Sequence, residues 1–242
     1  TRSCRKRRRR SGTLRMPIKK MSLKVIKTSD GSDTIYNSEL NETYHSLHGS
    51  INESKIVYIR NGLEHYLNKN RKNNIKILEI GFGTGLNFLL THSFLQNRKE
   101  KVTYHTLEPF PLPIGIIQKL NYVSEVGEKY RRVFDLSHSI EFDKKNNITE
   151  NLIFLKSKKS LENVKLDGGY DIIFFDAFAP SKQPSIWIKE NLEKIYSNMN
   201  NKSVLVTYCS SGQFKRDLKS IGFNVEVLPG PKGKKEMVRA FK

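Results

Sequence analysis

The sequence predicts an α/β fold with a mostly parallel sheet of seven strands, and three observations lead to this class. From residue 75 onward, short apolar runs alternate with helical patterns, which is typical of βαβ units. The apolar runs are continuous rather than alternating, as expected for parallel strands that are buried on both faces. The last two runs are joined by a short turn rich in Pro and Gly, which favours an antiparallel hairpin at the C-terminus.

Seven strands and four helices are expected from residue 75 onward. The strands cover residues 75–80, 102–107, 152–155, 170–175, 203–208, 224–228 and 236–241. Apolar positions three and four residues apart predict helices at 86–94, 114–121, 186–199 and 213–221. Residues 21–74 indicate a strand pair or turn and then a helix from about Glu53, and residues 122–150 are polar and helical at best. No linker divides residues 21–242, so we expect one domain in which an N-terminal extension (21–74) packs on a core (75–242).

Positive charge is concentrated at the N-terminus. The formal net charge is +19, and residues 1–20 contain ten Lys and Arg residues and no acidic residue. We interpret residues 1–20 as a basic, disordered leader that is not native to the domain; a nucleic-acid arm, a nuclear signal and a transit peptide are the alternatives. The remaining +9 favours a polyanionic partner, because basic side chains gain from releasing phosphate counterions. A Lys- and Asn-rich genome composition is the other source of such a charge.

Cysteines are too few for a disulfide framework or a cysteine metal site. Only Cys4 and Cys209 are present, which fits a reducing cytoplasm. The longest apolar runs are far shorter than the ~20 residues that span a bilayer. We therefore expect a cytoplasmic protein with no metal and no membrane association. The sequence leaves the oligomeric state open, with a monomer as the simpler expectation.

A glycine-rich turn is the first candidate ligand site. The segment EIGFGTGLN, residues 79–87, follows the first expected parallel strand and opens a helix, where backbone amides and the helix dipole favour ligand binding. Leu86 occupies the position where a dinucleotide fingerprint has its third glycine, which disfavours a nicotinamide dehydrogenase. The spacing resembles the S-adenosylmethionine loop of Rossmann-like methyltransferases, whose sheet also ends in an antiparallel hairpin; a tight turn without a ligand is the alternative. The expected cofactor contacts in this turn are Glu79, Gly81, Phe82, Gly83, Thr84, Gly85 and Asn87.

Two acids at strand ends complete the candidate site. Glu108 ends the second expected parallel strand, where a carboxylate can accept bonds from both hydroxyls of a ribose. Asp176 ends the fourth such strand, where a carboxylate can orient an amine, accept its proton or balance a sulfonium charge. A helix cap is the alternative role for each acid, and for Glu108 also a solvated loop position. The third strand is followed by Lys and Ser only, so the residue that contacts adenine stays unidentified.

Five segments in order carry a more specific resemblance. They are TSDGSDT (28–34), ETYHSLHGSINES (42–54), DAFAPSKQPSIW (176–187), LVTYCSSGQFKRDLKSIGF (205–223) and LPGPKGKKEMVRA (228–240). Together they resemble the methyltransferase domain of the tRNA 5-methylaminomethyl-2-thiouridine biosynthesis protein family, which is the N-terminal part of MnmC or the stand-alone MnmD. The resemblance covers residues 22–242.

The resemblance implies methyl transfer from S-adenosylmethionine to the aminomethyl nitrogen of 5-aminomethyl(-2-thio)uridine at the tRNA wobble position. It places Asp176 at the substrate amine as the catalytic residue and Glu108 at the cofactor ribose. It also implies an N-terminal segment folded against the site, with Thr28, Asp30, Glu42, Tyr44, His45 and Ser46. Bifunctional members add a flavin-dependent oxidase domain, which residues 1–242 do not contain, so we expect methylation without removal of a carboxymethyl group.

Substrate contacts are expected from the N-terminal segment, from the loop after Asp176 and from the C-terminal hairpin. Pro180 and Pro184 stiffen the loop after Asp176, because each fixes φ. Phosphate contacts to an anticodon stem-loop are expected from Lys182, Lys232, Lys234, Lys235 and Arg239, with a solvated basic surface as the alternative. The full set of expected substrate-binding residues is Asp30, Tyr44, Phe178, Pro180, Lys182, Trp187, Lys234 and Lys235, although Trp187 also fits a helix core. A methyltransferase acting on another amine and an inactive tRNA-binding subunit are the alternative functions.

Overall fold

The computed structural model describes residues 22–242, so the expected leader at residues 1–20 lies outside the described part of the chain. Three short strands come first: β1 (Leu23–Lys27), β2 (Asp33–Asn37) and β3 (Glu42–Thr43). They form a small antiparallel sheet in that order. The turn after β1 is tied by Asp30, whose carboxylate accepts bonds from the backbone amides of Ser32 and Asn52. Asp30 therefore links this turn to the helix that follows.

Residues 50–69 are helical throughout. Helix α1 (Ser50–Ser54) continues into a π-helical segment (Lys55–Glu64) and then into α2 (His65–Lys69). The buried side chains of this stretch, including Val57, Tyr58, Leu63 and Tyr66, belong to the same apolar cluster as one face of the central sheet. The N-terminal residues thus pack directly on the sheet.

Within residues 22–242 the central sheet has eight strands. They are β4 (Asn74–Ile80), β5 (Lys101–Leu107), β6 (Lys145–Thr149), β7 (Leu152–Ser157), β8 (Tyr170–Phe175), β9 (Met199–Thr207), β10 (Asn224–Pro229) and β11 (Glu236–Phe241). Their order is β10, β11, β9, β8, β4, β5, β7, β6. The four pairings among β4, β5, β7, β8 and β9 are parallel, and β11 pairs antiparallel with both β9 and β10. The predicted class, a mostly parallel sheet with an antiparallel C-terminal hairpin, is confirmed.

The strand β6 corrects the expected count of seven strands. It pairs antiparallel with β7 at the edge of the sheet, within the stretch 122–150 that the sequence indicated to be helical at best. Its sequence is KNNIT, and none of these five residues is buried, so polar side chains are tolerated in this edge strand. A polar strand of this kind lacks the apolar run by which the other strands are recognised.

Helices cover both faces of the sheet. They are α3 (Leu86–Leu95), α4 (Ile114–Ile117), α5 (Tyr122–Val126), α6 (Arg131–Ser139), α7 (Lys189–Asn198) and α8 (Gly212–Ile221), with 3₁₀ turns at Glu128–Tyr130 and Pro184–Trp187. Two helices are shorter than expected, since α4 ends at Ile117 and α7 begins only after the 3₁₀ turn that Pro184 opens. None of the helices in residues 22–242 is both long and apolar enough to cross a membrane.

The order of the strands decides where a site forms. β4 lies between β5 and β8, so the chain leaves the sheet in opposite directions after neighbouring strands. Such a switch point leaves a crevice at the carboxyl ends of the strands, where open α/β sheets bind ligands. The glycine turn, Glu108 and Asp176 follow β4, β5 and β8 and meet at this edge.

Candidate active site

A cavity of about 1070 Å³ opens at the carboxyl edge of β4, β5 and β8. Its walls come from the glycine turn, from the loops after β5, β7 and β8, from residues 42–48 and from the hairpin turn between β10 and β11. Segments near the N-terminus and near the C-terminus therefore enclose the same cavity at this edge of the sheet. Of the expected site residues, twelve line it: Glu42, Tyr44, His45, Ser46, Gly81, Phe82, Gly83, Thr84, Glu108, Asp176, Phe178 and Lys234.

The glycine turn requires residues without side chains. Gly81 and Gly83 have φ values of +92° and +50°, a backbone region that favours glycine. A Cβ on Gly81 would lie 2.7 Å from the backbone oxygen of Asp176, and one on Gly83 would lie 3.1 Å from the Tyr44 ring. The turn can therefore approach both the catalytic candidate and the N-terminal segment only because these positions are glycine.

Glu108 is fixed by the backbone around it. Its side chain is 8% exposed, and its two oxygens accept bonds from the amides of Gly83, at 2.8 Å, and Phe110, at 2.9 Å. Burial raises the pKa of Glu108, and the amide donors oppose that effect. Each carboxylate oxygen has two acceptor positions, so the oxygens keep capacity for hydroxyl donors in the cavity.

Asp176 is held by one donor on each oxygen. The Tyr58 hydroxyl donates to Oδ1 at 2.5 Å, and the Asn87 amide nitrogen donates to Oδ2 at 2.7 Å. Burial raises the pKa of Asp176 to about 7, although the bond from Tyr58 opposes this rise. A carboxylate that is rigidly held and titrates near neutral pH is suited to accept a proton.

Glu79 and Asn87 lie behind the turn rather than in the cavity lining. The Asn87 amide nitrogen also donates to Glu79 Oε1 at 3.1 Å, and Thr106 donates to Glu79 Oε2 at 2.8 Å. Burial raises the pKa of the fully buried Glu79 well above its usual range. Because the same Asn87 amide nitrogen donates to both carboxyl groups, Glu79 supports the position of Asp176 through Asn87.

The N-terminal segment packs against the glycine turn and forms the adjoining wall of the cavity. The Tyr44 ring packs edge-on against Phe178, with centroids 4.9 Å apart. His45 Nε2 lies 2.7 Å from the Thr84 hydroxyl, and burial lowers the pKa of His45 to about 4, so the imidazole is neutral. These contacts place aromatic surface in the same cavity as Asp176.

The remaining expected residues lie outside the cavity lining. They are Thr28, Asp30, Glu79, Gly85, Asn87, Pro180, Lys182, Trp187, Lys232, Lys235 and Arg239. The Trp187 indole donates to the Phe178 carbonyl at 2.7 Å and packs between Phe175 and Phe214, so it supports the wall from behind. The carboxylate of Asp30 is occupied by Ser32 and Asn52, as described above.

Three further residues at the site escaped the sequence reasoning: Glu53, Tyr58 and Tyr208. Glu53 and Tyr208 line the cavity, and Tyr58 contacts Asp176 from the helical stretch. Glu53 and Tyr58 are five positions apart, so on a regular α-helix their side chains would point in directions about 140° apart around the helix axis. The π-helical segment has hydrogen bonds from i to i+5, which changes the angle between these two side chains. No pattern in the sequence predicts a π-helix here.

A cavity at the switch point, floored by a glycine turn and bordered by two strand-end acids, is the arrangement of a Rossmann-like methyltransferase. A family model described as "S-adenosyl-L-methionine-dependent methyltransferase" matches residues 119–242, just over half of the chain. The chain belongs to this family of methyltransferases that use S-adenosylmethionine. Gly81 and Gly83 leave a turn without side chains along which a ligand can approach, and the Glu108 carboxylate keeps acceptor capacity, so both features fit this cofactor.

Named relatives agree with the resemblance seen in the sequence. The "tRNA 5-methylaminomethyl-2-thiouridine biosynthesis bifunctional protein MnmC" of Campylobacter hominis is 30% identical over 213 residues, which are 86% of this chain and 31% of that protein. The protein of the same name from Leptospira interrogans serovar copenhageni is 30% identical over 214 residues, 85% of this chain and 33% of that protein. The chain thus spans about a third of the length of these relatives.

A solved structure is similar over nearly the whole chain. The crystal structure of MNMC2 from Aquifex aeolicus superposes with a TM-score of 0.71 and 26% identity, covering 93% of this chain and 72% of that chain. The predicted family resemblance, the fold class and the cofactor are confirmed.

Proposed function

We propose that this chain transfers a methyl group from S-adenosylmethionine to the aminomethyl nitrogen of 5-aminomethyl(-2-thio)uridine at the wobble position of tRNA. The product is 5-methylaminomethyl(-2-thio)uridine, and the relatives are named for the biosynthesis of 5-methylaminomethyl-2-thiouridine. The observation that carries the proposal is Asp176, which lines the cavity with one donor fixed on each oxygen. Within this proposal the partner is the anticodon stem-loop of tRNA and the compartment is the cytoplasm.

The cofactor side of the proposal rests on the turn and on Glu108. S-adenosylmethionine supplies an electrophilic methyl group on a sulfonium. The backbone of Gly81, Gly83 and Thr84 would hold it, and Glu108 would accept bonds from its ribose hydroxyls. Because Gly81 approaches the backbone of Asp176 so closely, the cofactor and the catalytic candidate share one wall of the cavity.

Asp176 would prepare the amine for attack. An alkylamine is mostly protonated near pH 7, as the usual lysine pKa of about 10.4 illustrates, and a protonated nitrogen has no lone pair to donate. Ionised Asp176 attracts the ammonium and accepts one of its protons, which leaves a neutral amine held at the carboxyl group. Tyr58 and Asn87 keep the carboxyl group in place, so the nitrogen is oriented at the same time.

The aromatic wall suits an unstacked nucleobase. Tyr44 and Phe178 line the same cavity as Asp176, and bases in single-stranded loops are bound by stacking on such rings. The net charge of +9 on residues 21–242 suits a polyanion. These features favour a nucleotide in tRNA over a free amine.

The proposal is tested by transfer of labelled methyl groups from S-adenosylmethionine to tRNA that carries 5-aminomethyluridine at the wobble position. Wild-type protein should label this nucleoside, and Asp176→Asn should lose the activity while still binding tRNA. Asp135→Asn, on the exposed face of α6, is the matched control and should keep full activity. Folded wild-type protein that binds this tRNA without labelling it would refute the proposal.

A further inference from the structure

An oppositely charged pair of side chains, Glu53 and Lys234, lines the cavity together with Asp176. Glu53 comes from α1 and is only 4% exposed, and Lys234 comes from the turn between β10 and β11. Lys234 Nζ donates to Glu53 Oε1 at 2.5 Å, and the amide of Ser46 donates to Oε2 at 2.8 Å. Both side chains line the cavity, so a buried carboxylate and an ammonium face the same space as the catalytic candidate.

Both groups keep hydrogen-bonding capacity toward the cavity. An ammonium has three donors, and within residues 22–242 Lys234 uses one of them on Glu53 while its Nζ lies 3.7 Å above the Tyr208 ring. A carboxylate has about four acceptor positions, of which Lys234 and Ser46 occupy two. The pair therefore presents an acceptor and a donor side by side.

This pattern is complementary to one edge of uracil. Uracil carries a donor at N3 and an acceptor at O4, and the C5 substituent adjoins O4. The charges of Glu53 and Lys234 both act on Asp176, in opposite directions, which reflects how near the pair is to that carboxyl group. A base with O4 at Lys234 would therefore direct its C5 substituent to the Asp176 side of the cavity.

We propose that Glu53 and Lys234 read the Watson–Crick edge of the substrate base: the Glu53 carboxylate accepts a hydrogen bond from N3–H, and the Lys234 ammonium donates one to O4. The inference rests on the proposed function, because it assumes a uridine in the cavity. It makes the pair specificity-determining, whereas Asp176 acts on the amine. Cytosine presents an acceptor at N3 and an amino donor at C4, so the pair faces it with the wrong groups. Enzymes that act on bases in a pocket read this edge by such hydrogen bonds.

The same pair also joins distant parts of the chain. Gly233, beside Lys234, packs so closely on the His48 ring that a Cβ there would overlap it. The ion pair and this contact together hold the hairpin turn against the N-terminal segment. A purely structural pair would affect every substrate alike, and this difference makes the inference testable.

The test compares two anticodon stem-loops that differ only in the wobble nucleoside, 5-aminomethyluridine or 5-aminomethylcytidine. Wild-type protein should prefer the uridine in kcat/KM. Glu53→Gln replaces an acceptor by a group that can donate to cytosine N3, so the ratio of uridine to cytidine should fall about 5- to 150-fold. The double variant Glu53→Gln with Lys234→Met removes both charges, so no buried charge is left unpaired, and its ratio should fall as well.

Two exposed residues provide matched controls: Glu190→Gln, in the first turn of α7, and Lys219→Met, in the last turn of α8. Both should keep the wild-type ratio. Equal losses on the two stem-loops, with an unchanged ratio in both cavity variants, would overturn the inference and leave the pair a structural contact. Wild-type protein that methylates neither stem-loop would overturn the proposed function and this inference with it, so the two failures are distinguishable.

Discussion

Tyr58→Phe removes one hydroxyl from the site and leaves the packing unchanged. The ring is 1% exposed and packs on Phe174 with centroids 5.4 Å apart, so the Phe variant should fold normally. The lost interaction is the 2.5 Å bond to Asp176 Oδ1. Because this bond stabilises the ionised carboxylate, its removal raises the pKa of Asp176 further above its usual range.

The size of the effect follows from the charge on the acceptor. A hydrogen bond to a charged group contributes about 1.5–3 kcal/mol, which makes ionisation roughly 10- to 150-fold less favourable when the bond is lost. Burial already raises the pKa of Asp176 to about 7, so about half of the wild-type groups are ionised at that pH. If the ionised form accepts the amine proton, the rate of methyl transfer at pH 7 should fall roughly 5- to 80-fold.

The assay is methyl transfer measured as a function of pH. The acid limb of the profile should move to higher pH in Tyr58→Phe, and the rate should approach that of wild type at the alkaline end. Tyr66→Phe is the matched control, because Tyr66 lies on the same helical stretch but donates to Asp171, away from the cavity. Superimposable acid limbs for Tyr58→Phe and wild type would refute the assigned role of Tyr58.

Three further predictions concern stability and cofactor binding. Burial raises the pKa of Asp176 from 3.8 to about 7, so the wild-type protein loses stability as pH rises through this interval and the carboxyl group ionises. The melting temperature of Asp176→Asn relative to wild type should therefore increase from about pH 3.8 to about pH 7 and stay constant above that. A difference in melting temperature that does not depend on pH would contradict this. Gly81→Ala forces a Cβ to 2.7 Å from the Asp176 backbone at a φ of +92°, so calorimetry should detect severely weakened S-adenosylmethionine binding, whereas Gly115→Ala, with open space around its Cβ, should bind normally. Glu108→Gln loses a charged acceptor, so the Kd for S-adenosylmethionine should rise about tenfold or more, and an unchanged Kd would exclude Glu108 as the ribose contact.

Much of the fold was predictable because the interior strands are buried. β4, β5, β7, β8 and β9 read as apolar runs, and the acids at the ends of two of them stand out against that background. The meeting of the glycine turn, Glu108 and Asp176 then follows from the rule that parallel strands end at the same edge. These residues are in the cavity lining, as the sequence led us to expect, except for Glu79, Gly85 and Asn87 behind it.

The rest depends on contacts between distant residues, which a single sequence does not encode in a local pattern. Tyr58 reaches Asp176 across 118 positions, and Lys234 reaches Glu53 across 181. The sequence suggested Lys234 as a phosphate contact because it lies in a basic turn, whereas its ammonium is paired inside the cavity. Glu53 lies within one of the five segments that carry the resemblance, but nothing marked it as a cavity residue, since a single acid in an amphipathic helix normally faces solvent.

We propose above all that the protein methylates the aminomethyl nitrogen of a wobble uridine bound in this cavity. The most direct measurement is mass spectrometry of the wobble nucleoside after the protein has reacted with S-adenosylmethionine and tRNA carrying 5-aminomethyluridine. We expect this nucleoside to gain one methyl group, located on the exocyclic nitrogen. With Asp176→Asn, no methyl group should be gained. A methyl group on the base, the ribose or another nucleoside, or an undiminished yield with Asp176→Asn, would contradict it.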